Sequence, residues 1–242
     1  MRVLVVSDVH SNLVALEAVL AAVGDVDAVW SLGDVVGYGP RPNACIDRLR
    51  ERDAISIPGN HDWGVLGKAD LGMFNPDARQ ANLWNRAQLR PSARAYLEGL
   101  VETRVEGAFT LAHGSPRAPI WEYLLYSDTA RENLQHFETK VCLVGHTHIP
   151  AIFYLPPDAD RCTLDQPPEG EPFPLEEGRY ILNPGSVGQP RDGDPRAACL
   201  LIDTEALTVE QRRVAYDIEE TQRAMRLAEL PYRLSARLEM GW

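Results

Sequence analysis

Two histidines one residue apart follow the apolar run of "LVGHTHIP", residues 143–150, and an aspartate and a histidine at the same spacing follow "RVLVVSDVH". Alternate residues of an extended chain project to one side, so Asp8 with His10, and His146 with His148, can each aim two donors at one region while Val9 and Thr147 point away. Asp34 ends "VWSLGD", Asn60 and His61 end "SIPGNH", and His113 ends "FTLAH". Five of the six histidines thus close apolar runs, and the sixth, His136, sits at a polar helical position and reads as a solvated side chain.

Asp8, His10, Asp34, Asn60, His113, His146 and His148 combine imidazole, carboxylate and amide donors with no thiolate. Such a set suits divalent manganese, iron, zinc, nickel or cobalt better than calcium or a structural zinc site. Seven donors exceed what one ion with an open position needs. Two ions sharing a carboxylate bridge, about 3.5 to 4 Å apart as in two-metal hydrolytic sites, use them all. Taken singly, Asp8 and Ser11 read as helix caps and Asp34 and Asn60 as turn residues, but one shared centre accounts for the set together.

The elements that must bring these donors together alternate in type. "RVLVVSD", "DAVWSLGD" and "AISIPGN" are short apolar runs that read as strands, with helical "NLVALEAVLAAVG" and "NACIDRLRER" between them. Ser11 or Asn12 caps the first helix and Gly24 stops it. The strand and helix alternation predicts parallel strands with right-handed crossovers, whose carboxyl ends open onto ligand crevices. Residues 63–103 read as a helical cap built on "ARQANLWNRAQL" and "SARAYLEGL". Then come a strand in "AFTLAHG", a helix over "SDTARENLQHFE", a strand in "KVCLVGH" and a Pro- and acid-rich exposed loop over 156–178. "RYILNPGSV", "AACLLIDT" and the alternating "TVEQRRVAY" predict strands, and residues 217–240 predict helices broken at Pro231. No linker divides the 242 residues, so a single domain is expected.

Composition narrows the function class. With 24 Lys+Arg against 35 Asp+Glu, a formal charge of -11 repels duplex nucleic acid and anionic membranes, so an anionic substrate needs local positive charge such as bound metal. No apolar run approaches the roughly 20 residues that span a bilayer. Four dispersed cysteines, Cys45, Cys142, Cys162 and Cys199, read as reduced core thiols, which together with the rest predicts a cytoplasmic protein. "GDVVGYG" lacks the Gly-Lys-Ser/Thr ending of a phosphate loop, and no dinucleotide fingerprint follows a strand. Arg191 and Asp192 in "GQPRDGDP" could place a guanidinium near a phosphate, and we read them as closing a turn by pairing with each other. Trp63 and Tyr38 beside the donor motifs read equally as packing or as stacking surfaces.

"DVH" at 8–10, "GD" at 33–34, "GNHD" at 59–62, "AHG" at 112–114 and "GHTH" at 145–148 resemble, in order, the motif set of the calcineurin-like metallophosphoesterases. "NPGSVGQPRDGDPRA" at 183–197 resembles the small bacterial and archaeal YfcE-like phosphodiesterase branch, and the likeness runs from residue 1 to about 203. It implies an α/β (α+β) fold, a two-layer β-sandwich flanked by helices with a binuclear metal site at the strand ends. It also implies one metal on Asp8, His10, Asp34 and His148, a second on Asp34, Asn60, His113 and His146, and therefore Asp34 as the bridge.

By the same resemblance a metal-bound hydroxide attacks phosphorus, His61 stabilises or protonates, and Asp62 orients or charge-tunes His61. It points to two divalent ions with manganese first among the candidates, a small phosphoester or nucleotide substrate, and a homodimer. Some members of the branch carry cysteine where this chain has His61, so the resemblance leaves monoester and diester substrates both open. A catalytically silent interaction scaffold on the same fold is the alternative, and it has no need of His61 or of a complete donor set.

Overall fold

The computed structural model describes Met1–Trp242. In chain order, β1 (Arg2–Val6), α1 (Leu13–Val23), β2 (Ala28–Ser31), α2 (Pro42–Arg50) and β3 (Ile55–Ser56) give the predicted alternation. The cap is α3 (Asn60–Leu66), α4 (Pro76–Gln88) and α5 (Pro91–Glu98). Beyond it lie β4 (Thr103–Glu106), β5 (Phe109–Ala112), α6 (Ser127–Asn133), β6 (Val141–Leu143) and β7 (Ala151–Leu155). The chain finishes with β8 (Thr163–Asp165), β9 (Phe173–Pro174), β10 (Arg179–Asn183), β11 (Ala197–Asp203), β12 (Thr208–Val214), α7 (Ile218–Leu227) and α8 (Tyr232–Ala236).

Two mixed six-stranded sheets form, ordered β3-β2-β1-β11-β12-β9 and β4-β5-β6-β10-β7-β8. β1, β2 and β3 pair in parallel, as do β5, β6 and β10, while β11 joins β1 antiparallel and β7 joins β10 antiparallel. Alternation along β1 explains the layering. Val3 and Val5 face a cluster with Trp30, Leu32, Phe109, Leu111, Val141 and Leu143, which fills the space between the sheets. Leu4 and Val6 face the opposite way, onto Leu16, Val19 and Leu20 of α1 and Ile46 and Leu49 of α2. Each sheet is therefore buried on both faces, which is why its central strands read as continuous apolar runs.

Local chemistry sets the helix starts. The Asn12 side chain accepts from Ala15 N at 3.2 Å at the head of α1, and Asn75 accepts from Ala78 N at 2.9 Å with Pro76 opening α4. Pro231 breaks the C-terminal helices where expected. Elsewhere the structure departs from the sequence reading. The helix expected over 127–138 stops at Asn133 and tightens into a 3-10 turn at Leu134–His136, with no side-chain cap from Ser127 or Asp128. The 156–178 segment is not all loop, because β8 and β9 pair along the edges of the two sheets. Strands β4 and β7 have no counterpart in the reading above.

All four cysteines are buried and unpaired, and burial pushes the Cys162 thiol up to about 11 and that of Cys199 to about 12. No helix is long and apolar enough to cross a membrane.

Candidate metal centre

The loops after β1, β2, β3, β5 and β6 meet at one end of the sandwich, three from one sheet and two from the other. They bring the expected donors into two compact groups. In one, ligand atoms of Asp8, His10 and His148 lie within 4.8 Å of one another; in the other, those of Asp34, His113 and His146 do. A third set of the same size joins His61 to His10 and Asp34. Asp34 Oδ2 is 3.6 Å from His10 Nε2 and 3.5 Å from His113 Nε2, so one carboxylate oxygen reaches both groups. Asn60 Oδ1 lies 3.2 Å from His113 Nε2.

Each carboxylate keeps one oxygen tied and one free. Asp8 Oδ2 accepts from Ser7 Oγ at 2.6 Å and His146 N at 3.0 Å, while Oδ1 has no hydrogen-bond partner and stands 3.2 Å from His148 Nε2. Asp34 Oδ1 accepts from His61 N at 2.8 Å, while Oδ2 has no partner. His146 Nε2 is likewise buried and unpartnered. Buried polar atoms are nearly always satisfied, so partnerless oxygens and nitrogens converging on one spot fit a divalent cation, which would satisfy all of them.

The imidazoles are set for the same purpose. His113 Nδ1 donates to Leu32 O at 2.8 Å and His148 Nδ1 to Gln189 O at 2.6 Å, which leaves the Nε2 lone pairs facing the centre. His10 Nε2 and His148 Nε2 are 3.1 Å apart, so both rings bring Nε2 to one point.

Electrostatics agree with that arrangement for four of the five imidazoles. Burial pushes the imidazoles down, His61 to about 4 and His146 to about 3, and neutral imidazole is the ligating form. His113 moves the other way, to about 9, because the Asp34 carboxylate beside it outweighs burial. Burial alone would raise Asp8 and Asp34, but the histidines around them prevail and hold both carboxyls well below the usual range.

Asp8 with His10, and His146 with His148, do converge, but not by strand alternation. Asp8, His10, Asp34, His146 and His148 all adopt left-handed backbone, with φ of 52, 48, 51, 65 and 61°. These residues lie past the strand ends, where successive left-handed turns swing the side chains inward. Non-glycine residues hold such angles at a cost of about 1–3 kcal/mol each when the surroundings impose them.

Those surroundings come partly from "NPGSVGQ". Ser186 Oγ and Gly188 N donate to Asp8 O at 2.8 and 2.9 Å, and Asn183 Nδ2 donates to Gly145 O at 2.7 Å and to Thr147 Oγ1 at 3.0 Å. Gly37, at φ 141°, lets its backbone lie against two of the rings. A Cβ there would stand 2.6 Å from His10 Nδ1 and 2.8 Å from His61 Nδ1. Gly37→Ala is therefore expected to lower activity at least about tenfold through displaced rings, checked by kcat and bound metal.

Several residues differ from the sequence reading or were missed by it. The Asp62 carboxylate does not meet the His61 ring: it accepts from Val35 N, Val36 N and Gly59 N at 3.3, 3.0 and 2.9 Å, capping α3 and pinning the Asp34 loop to it. Asp62 thus reaches His61 only through the backbone. The ring is met instead by Asn82, whose Nδ2 is 2.9 Å from His61 Nδ1. Asn85, one turn on, bonds Ser11 Oγ at 2.7 Å and the carbonyls of Gly37 and Gly39. The signal was present, since Ala78, Ala81, Asn82 and Asn85 form the buried face of α4, and two amides in an apolar stripe need partners.

Arg191 and Asp192 do not pair. Asp192 binds Arg213, and Arg191 Nη2 donates to Tyr38 OH at 3.2 Å and Gln189 Oε1 at 3.3 Å. Tyr38 packs 4.5 Å from the His10 ring and 4.4 Å from that of His61, so Arg191 faces the centre from its rim. Phe74 stands edge-on to His61, Trp121 follows it, and Tyr123 stacks on His146 at 3.9 Å. Trp63 makes no ring contact there, and His136 lies exposed in the 3-10 turn before β6 and outside both donor groups.

Comparison with known proteins agrees with this architecture. Residues 1–206 match the calcineurin-like phosphoesterase superfamily domain. The chain is 36% identical to the MJ0912 protein of Methanocaldococcus jannaschii, over 98% of this chain and 97% of that one. It is 27% identical to the phosphodiesterase YfcE of Escherichia coli, over 86% of this chain and 91% of the relative. The crystal structure of a metallophosphoesterase from Sphaerobacter thermophilus superposes with a TM-score of 0.91 at 47% identity, covering 100% of this chain and 99% of that one. A mixed two-sheet fold, the ordered motifs and a match that covers most of the chain lead to one conclusion: this chain belongs to the calcineurin-like phosphoesterase superfamily, on its YfcE-like branch, and is a hydrolase of phosphoester bonds.

Proposed function

We propose that the chain acts as one domain that hydrolyses small phosphomonoesters or phosphodiesters at a binuclear centre. Asp8, His10, Asp34 and His148 would hold one ion and Asp34, Asn60, His113 and His146 the other, with Asp34 shared between them. The observation that carries this reading is the pair of partnerless carboxylate oxygens, Asp8 Oδ1 and Asp34 Oδ2, each buried among histidine nitrogens. Buried carboxylate charge left without a partner calls for a bound cation. Two divalent ions held there, with manganese first among the candidates by the family resemblance, would supply Lewis-acid stabilisation of the phosphoryl oxygens and lower the pKa of an attacking water.

The protein's own groups do the rest. His61, at the mouth of the centre, offers a ring N–H to the phosphoryl or leaving oxygen. Arg191, held by Tyr38 and Gln189, adds positive charge on the rim of an otherwise acidic protein. Phe74, Trp121 and Tyr123 line the approach and suit an apolar or aromatic leaving group.

The test uses metal-stripped protein with Mn, Fe, Ni, Zn or Mg added back singly, a chromogenic phosphomonoester and its matching diester. Turnover that returns with metal, at two ions per chain, is the expected outcome; metal bound without turnover on either substrate would move the chain to the scaffold reading. Stability gives a second readout. A ligand at 100 times its Kd adds about 2.7 kcal/mol, so chelation is expected to lower the melting temperature by about 5 to 10 °C in a chain of this length. An unchanged melting curve would count against any resident metal.

A further inference from the structure

His61 has one hydrogen-bonding neighbour for its ring, and that neighbour's chemistry fixes which nitrogen carries the proton. Asn82 lies on the buried face of α4, fully shielded from solvent. Its Nδ2 is 2.8 Å from Ala78 O, the carbonyl one turn back, and 2.9 Å from His61 Nδ1. A carbonyl oxygen can only accept, so the amide atom facing Ala78 must be the nitrogen; the reverse orientation would set two oxygens against each other. The two N–H bonds of that nitrogen then go to Ala78 O and to His61 Nδ1.

A ring nitrogen that receives an N–H holds a lone pair, so in the neutral ring the proton sits on Nε2. Other contacts agree. Tyr38 and Phe74 meet the His61 ring through their own rings, at 4.4 and 5.0 Å. Asp62, the carboxylate nearest in sequence, is taken up by three backbone N–H groups. Asn82 Oδ1 accepts no hydrogen bond and would stand 2.9 Å from a Cβ on Gly64, so the amide is seated by close packing against α3 and by its two donated bonds.

We propose that Asn82 is a positioning residue that locks His61 in the Nε2–H tautomer, so that the cap helix α4 aims an N–H donor into the centre. The proposal rests on the reading of His61 as the group that meets the phosphoryl or leaving oxygen. It gives the cap a role that packing alone does not require: α4 sets the hydrogen-bond polarity of the site. A carboxylate in place of Asn82 would reverse that polarity by accepting from Nδ1–H, which leaves Nε2 of the neutral ring as an acceptor facing phosphoryl oxygens that also only accept.

Asn82→Asp makes that reversal at constant size but also sets a carboxylate oxygen against Ala78 O, and Asn82→Ala removes the donor without that repulsion. Nitrogen-15 spectra of histidine-labelled, zinc-loaded protein report the tautomer directly, with the His61 signals assigned by their loss in His61→Ala. The expected result is a protonated Nε2 and bare Nδ1 in the wild type and the opposite in Asn82→Asp. Kinetically, kcat falls about 10-fold in Asn82→Ala and about 100-fold in Asn82→Asp, a fraction of what removing a whole acid–base group costs, while KM and bound metal stay unchanged.

A proton on Nδ1 in the wild type overturns the proposal, as does an Asn82→Asp enzyme with wild-type kcat. Loss of metal in step with kcat makes Asn82 a structural residue and also overturns it. Should Asn82→Asp fail to fold, Asn82→Ala and the wild-type spectrum decide. The spectroscopic arm needs no turnover, so an enzyme silent on every phosphoester overturns the phosphoesterase reading and leaves the tautomer question answered on its own.

Discussion

Asp34→Ala is expected to lose both metal ions and at least about a thousandfold in rate, a loss of several kcal/mol of charge stabilisation at 1.36 kcal/mol per decade. The size follows from geometry. Asp34 is 1% exposed, and its free Oδ2 stands 3.6 Å from His10 Nε2 and 3.5 Å from His113 Nε2, one nitrogen from each donor group. Its other oxygen accepts from His61 N at 2.8 Å and so anchors the start of α3, which carries Asn60 and His61. Removing it takes a negative charge from both ions and frees a helix that supplies a further ligand. Asp34→Asn separates these effects, since an amide oxygen can keep the His61 N–H bond without the charge. Metal analysis by mass spectrometry is the check: loss of only one ion from Asp34→Ala would place the bridge elsewhere.

His61→Ala gives the opposite pattern, with two metals retained and rate lowered about 100- to 10,000-fold, the usual scale for a group that transfers or donates a proton in the transition state. The structure makes this a demanding test. His61 can also form a compact group with His10 and Asp34, so a ligand role is sterically open to it. Against that role stands the engagement of Nδ1 by Asn82. Equal loss of metal in His61→Ala and Asp34→Ala would falsify the division between ligand and acid, whereas retained metal with lost kcat supports it.

The donor set was legible from sequence because each motif is local. "DVH", "GD", "GNHD", "AHG" and "GHTH" each sit where an apolar run ends, and the run itself announces a strand buried on both faces. Of the cap, α4 and α5 were legible from helical spacing, α5 with Pro91 at its start, whereas α3, which opens directly on the donor motif at Asn60, was not. Strand β7, "AIFYL", was missed although its composition favours a strand, because its five residues stand between the donor motif with Pro150 and the loop expected from 156. The hairpin of β4 and β5 turns at Gly107, whose φ of 58° marks a tight connection inside what reads as one continuous segment. Strands β8 and β9 escaped because two or three residues among prolines and acids become strand only by pairing with an edge already formed.

Sequence alone determined which chemistry this protein can do: five histidines, two aspartates and an asparagine placed after apolar runs define a hard-donor metal site and a phosphoester family. It could not determine how those donors converge. Extended alternation predicted the right pairs by the wrong means, since left-handed turns at Asp8, His10, Asp34, His146 and His148 do the aiming. Those turns persist because residues far along the chain hold them, Ser186 and Gly188 on Asp8, Asn183 on the 145–147 turn and Asn85 on the 37–39 loop. Tertiary structure alone also decided that Asn82, rather than Asp62, meets His61, and that Arg191 turns toward the site instead of toward its neighbour Asp192. A side chain's type is written at its own position, whereas the direction in which it hydrogen-bonds depends on which partner the fold delivers, and the side-chain partners here, from Asn82 on His61 to Ser186 on Asp8, arrive from 21 to 178 residues away.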